Sequence, residues 1–316
     1  MRKNLIKILC ALAFAVILFA VYIIPGSMDP LPTRLRIATG GDGGIYYVFG
    51  DVLANLFEKH MKTSVTVIPS GGSLDNINML RNGRTDLAFV QSDIMNYAYN
   101  GTNQFSTEGP FKDFYAMASL YPETRQIVVR SNISGISGLR GRRVSIGAEG
   151  SGTELNALQI LNSYGIGYTD IYADHLGFSS SVNAFNEGKF DAFFCTAGVP
   201  TPAISQLAAN GEARLLSIGD AHARSIISQY PYYSRQIIPK DIYGMEEDTE
   251  TIAVKAVLAA SRRLDEKTVL KIISIMFENA SEISDKVPGV SLNRKSAMDG
   301  LSIPLHRGAE EFLLGK

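Results

Sequence analysis

The chain has 316 residues, 46% hydrophobic and 19% charged, with 30 Lys and Arg against 31 Asp and Glu for a formal net charge of −1. That length accommodates two globular domains, and the absence of a basic block beyond the N-terminus argues against a nucleic-acid partner. Of the 2 cysteines, Cys10 falls in the first apolar run, which leaves Cys195 without a partner for an internal disulfide.

Arg2, Lys3 and Lys7 precede an uncharged run over 8–24 that Pro25-Gly26-Ser27 breaks. A basic start, an apolar core and small residues have the form of an export signal, which places the mature protein in the periplasm. The run is also near the shortest that spans a bilayer, and it lacks an Ala-x-Ala site. Residues 1–26 therefore read either as a cleaved signal peptide or as an uncleaved membrane anchor.

Beyond the leader, strand and helix patterns alternate. Ile37-Ala38-Thr39 runs through Gly40-Gly41-Asp42-Gly43-Gly44 into an amphipathic helix ending near His60; a strand at 65–68, a helix from Ser73, a strand at 87–91 and a helix to about Tyr99 follow. Such alternation predicts a parallel, doubly wound sheet with ligands at the carboxyl ends of its strands. Gln91 and Ser92 fall at one such end and are candidate contacts, Ser92 alternatively capping the next helix.

A strand at 114–121, the segment Pro122-Glu123-Thr124-Arg125 and a strand at 126–130 carry the chain into a second lobe. Arg125 is a candidate bidentate clamp for a carboxylate, or else a solvated side chain or a partner of Glu123. The stretch 144–165 then repeats the strand, glycine turn and helix of the first lobe through Gly147, Gly150, Ser151, Gly152 and Thr153. Ser73 follows Gly43 at nearly the interval at which Ser181 follows Gly150, and Asp86-Leu87-Ala88-Phe89 is matched by Asp191-Ala192-Phe193-Phe194. Thr196, Ala197 and Gly198 follow that last strand, and a helix runs to Ala209 with Pro200 or Pro202 in its first turn. A strand at 213–218 is expected to return to the first lobe. The remainder reads as mainly helical, over 251–260, 265–278 and 309–314. The tyrosines at 230, 232 and 233 suit packing, and Tyr243 either packs or closes over a ligand.

Two copies of one unit imply two lobes that offer glycine-lined helix starts to a common cleft, where free backbone N–H groups and hydroxyls favour an anion. The candidate contacts are Gly43, Gly44, Ile45, Tyr46, Ser73 and Asn76 from the first copy. The second supplies Gly150, Ser151, Gly152, Thr153, Ser180, Thr196, Ala197 and Gly198. Catalytic patterns are scarce. His60, His175, His222 and His306 lack metal-ligand spacing, Glu149-Gly150-Ser151-Gly152-Thr153 lacks the outer glycines of a nucleophile elbow, and neither nucleotide-binding fingerprint is complete. Binding without catalysis, cofactor or metal is therefore expected. An exported anchored sensor lobe and a hydrolase using Ser151 or Ser73 are the alternatives.

One series of motifs goes further: Thr39-Gly40-Gly41 with Gly44-Ile45-Tyr46-Tyr47, Gly71-Gly72-Ser73 with Asn76, Asp86-Leu87-Ala88-Phe89-Val90-Gln91-Ser92-Asp93, Leu120-Tyr121-Pro122-Glu123, Gly150-Ser151-Gly152-Thr153 and Ile303-Pro304-Leu305-His306-Arg307-Gly308-Ala309. In combination, from about Arg34 to Ala309, it resembles the TAXI family, the substrate-binding proteins of tripartite ATP-independent periplasmic (TRAP) transporters. Gln126 stands where many members carry His. The resemblance implies an α/β, two-lobed fold of the type II periplasmic-binding-protein kind, with doubly wound sheets, a hinge and an interlobe cleft. Lobe I is expected over 34–122 and 219–316, and lobe II over 123–218. It further implies a monomeric periplasmic receptor for glutamate, 2-oxoglutarate or a similar small organic anion, delivering it to integral membrane subunits driven by an ion gradient.

Overall fold

The computed structural model describes residues 31–208 and 213–315; the expected signal or anchor at 1–26 and the end of the helix expected to reach Ala209 lie outside them. In chain order the first copy is β1 (Arg34–Ala38), α1 (Ile45–Met61), β2 (Ser64–Ile68), α2 (Ser73–Arg81), β3 (Leu87–Gln91) and α3 (Ser92–Asn100). The long strand β4 (Phe114–Arg130) leads to the second copy, β5 (Arg143–Ser145), α4 (Gly152–Ser163), β6 (Tyr172–Asp174), α5 (Phe178–Asn186), β7 (Ala192–Ala197) and α6 (Pro202–Ala208). Then come β8 (Ala213–Leu215), α7 (Asp220–Gln229), β9 (Ser234–Ile238), β10 (Thr249–Ser261), α8 (Glu266–Glu278), α9 (Ala280–Lys286) and α10 (Arg307–Leu314).

The strands of the described residues join one 10-stranded sheet in the order β2-β1-β3-β10-β4-β7-β5-β6, with β8 on β4 and β9 on β10. The two copies have the same internal order, second strand, first strand, third strand, and within each the pairing is parallel. β4 and β10 run antiparallel to their neighbours and belong to both halves. This is the two-lobed α/β arrangement expected, with helices covering the strands and the carboxyl ends of both parallel sets turned toward a shared middle.

Two expectations change. The first is β10, whose segment 251–260 reads as helical in sequence but forms a strand between β3 and β4. Its run of Ala, Val, Ile and Leu is buried from Ile252 to Val254 and from Ala256 to Ala260. A strand covered on both faces shows no period of two, so periodicity cannot separate it from a buried helix. The second is the return crossing. β8 pairs with Val128, Val129 and Arg130 of β4, and Leu216, Ile218, Ala223, Ile226 and Tyr233 pack in one cluster with Ile127, Val144, Ile160 and Phe194. Residues 216–254 thus pack with the second half, not with the first as the boundary at 218/219 has it, and β10 carries the chain back. Its Ile252 and Val254 lie in the second-half cluster, while Val257 and Ala259 lie in the first-half one. β4 is likewise unbroken through Pro122, which faces Lys255.

Candidate functional site

Four helices start at one cavity. α1 begins after Gly44, α2 after Gly72 and α5 after Gly177, and none of these caps receives a side-chain hydrogen bond. A helix's first N–H groups have no intrahelical acceptor, so an uncapped start leaves donors for a ligand. α4 differs, since its cap Ser151 accepts from the Glu154 N–H at 3.1 Å. The cavity holds about 100 Å³ and is lined from both copies, by Gly40 to Asp42, Gly44 to Tyr46 and Ser70 to Ser73 on one side and by Ala148, Ser151 to Thr153, Gly177, Phe178, Thr196 and Ala197 on the other, with Gln91 and Glu123 between. No lysine or arginine is among them. That volume is somewhat under the ~150 Å³ of an engineered cavity that takes benzene.

Of the sequence candidates, Gly44, Ile45, Tyr46, Ser73, Gln91, Ser151, Gly152, Thr153, Thr196 and Ala197 line the cavity. The Ser73 hydroxyl accepts from the Gln91 N–H at 3.1 Å and the Thr153 hydroxyl from the Thr196 N–H at 3.3 Å. Each therefore keeps its own proton to donate. Neither Ser73 nor Ser151 is hydrogen-bonded to a histidine, the arrangement a serine nucleophile needs.

The other candidates serve different ends. Gly43, Gly150 and Gly198 sit where the halves touch: the Gly43 carbonyl accepts from Ala203 N at 3.3 Å and that of Gly150 from Leu74 N at 3.2 Å. A Cβ on Gly198 would stand 2.5 Å from Ile45 Cδ1. Asn76 is fully buried, donating to the carbonyls of Thr39 at 2.5 Å and Phe89 at 2.8 Å and so tying α2 to β1 and β3. The Ser92 hydroxyl accepts from the Lys255 N–H at 3.2 Å. Ser180 is exposed, because α5 starts at Phe178, earlier than the serine run suggests. Tyr243 packs with Val128, Phe193 and Cys195, its hydroxyl donating to Gln126 Oε1 at 2.7 Å and accepting from Thr201 N at 2.6 Å. It secures the turn after β7 and does not cover the cavity.

Arg125 is buried and also absent from the lining. Its guanidinium lies 4.9 Å from the Tyr233 ring centroid and donates to the Glu123 carbonyl at 3.2 Å. It belongs to a polar cluster behind the cavity, where Asn156 of α4 donates to Asp93 Oδ2 of α3 at 2.8 Å and to the Tyr233 hydroxyl at 2.7 Å. Burial pushes the Asp93 carboxyl up, and the charge of Arg125 pulls it back.

Glu123 is the lining residue that sequence reasoning passed over in favour of Arg125. It is buried, and Tyr46 donates to its Oε2 at 2.6 Å. Desolvation pushes its carboxyl from 4.5 up to about 8, against the opposing pull of the Tyr46 hydroxyl and the Arg125 charge. The signal available was an acid between two largely apolar stretches of one strand. Gly177 and Phe178 were also missed, although Gly177 stands before α5 as Gly72 stands before α2.

Among the described residues no three of His, Cys, Asp and Glu cluster as a metal site, and no helix is long and apolar enough to cross a membrane. Residues 37–314 match the NMT1-like family. Among solved structures the fold is similar to the alkanesulfonate-binding protein SsuA from Xanthomonas axonopodis pv. citri bound to MOPS, at 18% identity and TM-score 0.50 over 90% of this chain and 85% of that one. It is also similar to PhnD1 from Prochlorococcus marinus in complex with methylphosphonate, at 15% identity and TM-score 0.54 over 84% and 94%. A structure described as a periplasmic transporter gives 15% identity and TM-score 0.55 over 89% and 92%.

Proposed function

This chain belongs to the NMT1-like family, and on that footing we propose that it is the extracytoplasmic solute receptor of a transporter, capturing a small organic anion and handing it to integral membrane subunits. The observation that carries this reading is the convergence of four helix starts on a cavity that, among the described residues, is lined by neither lysine nor arginine. Dipoles and hydroxyls alone can hold a carboxylate there, each charge–dipole contact contributing about 0.3–1 kcal/mol, and up to about 2 when partly buried. SsuA with MOPS and PhnD1 with methylphosphonate are proteins of this fold with ligands that carry an anionic oxygen group. Glutamate, 2-oxoglutarate or a carboxylate of similar size is the ligand we favour. In this reading the first lobe comprises 34–121 and 255–315, the second 122–254, and residues 1–26 direct or tether the protein to the periplasmic face.

The motif series from Thr39 to Ala309 supports membrane subunits of the TRAP type. Calorimetry against mono- and dicarboxylates should find saturable binding without product formation. Proteoliposomes holding the membrane subunits should then accumulate the bound solute under an ion gradient without ATP. A protein that binds neutral or cationic solutes and ignores every carboxylate would overturn the receptor reading as stated, and uptake that requires ATP would overturn the TRAP assignment.

A further inference from the structure

The cavity offers groups of two kinds. The N–H groups of helix starts and the hydroxyls of Ser73 and Thr153 are donors. Glu123 of β4 accepts from Tyr46, and the buried Oε1 of Gln91, also in the lining, is an acceptor with no hydrogen-bond partner among the described residues. That oxygen is held against the start of α4, since a Cβ on Gly152 would stand 1.7 Å from it. A ligand with carboxylates alone would leave Gln91 Oε1 unpaired, and an unmet buried acceptor costs about 1–3 kcal/mol. It would also bring one anionic group toward another that can ionise. A ligand with an ammonium beside its carboxylate meets both demands, placing the carboxylate among the helix starts and the ammonium against Glu123 and Gln91.

We propose that Glu123 is the specificity-determining residue of the cleft: it selects α-amino acids over 2-oxo acids of the same skeleton and gives up its own proton when the ligand ammonium arrives. The inference rests on the receptor reading above. In that step the O–H bond of the Glu123 carboxyl breaks, its proton passes to solvent, and the carboxylate pairs with the ammonium the ligand already carries. The titratable and charged groups facing Glu123 are Tyr46 on α1, Tyr121 and Arg125 on β4, Asp93 on α3 and Cys195 on β7. Burial keeps both tyrosines and the thiol protonated, and Arg125 is a fixed cation. Asp42, the other carboxyl in the lining, is exposed. With its carboxyl pushed up to about 8, Glu123 holds its proton at neutral pH until an ammonium displaces it.

Two amine and oxo pairs test this, alanine with pyruvate and glutamate with 2-oxoglutarate, titrated into the full-length protein from pH 6 to 9 in buffers of different ionisation enthalpy. Amino-acid affinity should rise about tenfold per pH unit up to about pH 8 and then level, with nearly one proton released per ligand at pH 6–7. The 2-oxo acid should release none and bind at least about tenfold more weakly at pH 8. E123Q should cut the preference to less than about threefold and abolish proton release, and retained oxo-acid binding would certify its fold. The proton count on the wild-type protein needs no variant. Tighter binding of the oxo acid, amino-acid binding without proton release, or an unaltered preference in E123Q overturns the assignment. Oxo-acid binding that releases as many protons as amino-acid binding does would overturn Glu123 as selector and leave the receptor reading standing, whereas failure of every carboxylate would remove both.

Discussion

Water stabilises an ionised carboxylate far better than the buried interior around β4 does, so Glu123 links folding to pH. Its carboxyl titrates near 4.5 when solvated and about 8 in the fold. Between those values the native state holds a proton that the unfolded chain has released. The sign follows: stability is complete below about pH 4.5 and falls as pH rises through about 8, with a limiting slope for one proton of about 1.4 kcal/mol per pH unit. Urea denaturation at pH 5, 6.5 and 8 should show this decline, and E123Q should flatten it, because an amide of the same shape never ionises. A variant whose stability tracked the parent across that range would place the proton elsewhere. Arg125, fixed over Tyr233 and on the Glu123 carbonyl, acts on the same group as a buried positive charge.

Helix starts depend on what is packed against them as much as on their own residues. Of the four starts at the cavity α4 has the side-chain cap, and Gly152 follows that cap directly. Alanine normally favours a helix over glycine by about 1 kcal/mol. Here a Cβ would meet Gln91 Oε1 and displace that amide from its place in the cavity lining. G152A should therefore melt close to the parent while losing affinity for the solute by about tenfold or more, read by thermal melt and calorimetry together. Unchanged affinity would mean that Gln91 and the α4 start do not shape the binding surface. The uncapped glycines before α1, α2 and α5 fit the same account, since a side-chain oxygen at those positions would compete with the ligand for the first N–H groups.

At the scale of the molecule, the two halves meet on both sides of the cavity. Leu74 and Ala203 donate across the gap to Gly150 and Gly43, Asn156 reaches Asp93 at 2.8 Å, and Tyr232 donates to Asn96 Oδ1 at 2.8 Å. A ligand enters such a cavity when the halves separate, and β4 and β10 are the strands that run through both halves and can bend to allow it. Small-angle scattering should give a smaller radius of gyration with a saturating solute than without. N156A, which removes the donor to buried Asp93, should shift the unliganded protein further toward the open form. Equal radii in all cases would replace the hinge with a fixed groove.

Much of this was legible in the residues themselves. Glycines, small caps and apolar spacing are local signals, so the two copies of the strand and helix unit, the sheet class and the starts of α1, α2 and α4 can be read in order along the chain. Local patterns carry no information about which strands are covered on both faces, so 251–260 reads as helix in sequence although it lies as a strand between β3 and β4. They are equally silent on which polar side chains converge. Asn76, Ser92 and Tyr243 look like ligand contacts in sequence, and the fold uses them to satisfy its own buried backbone and amides. The choice between neighbours on one strand was also tertiary. Arg125 and Glu123 are two residues apart, and the packing of Tyr233 against one and of Tyr46 against the other sends the arginine behind the cavity and leaves the acid in its lining.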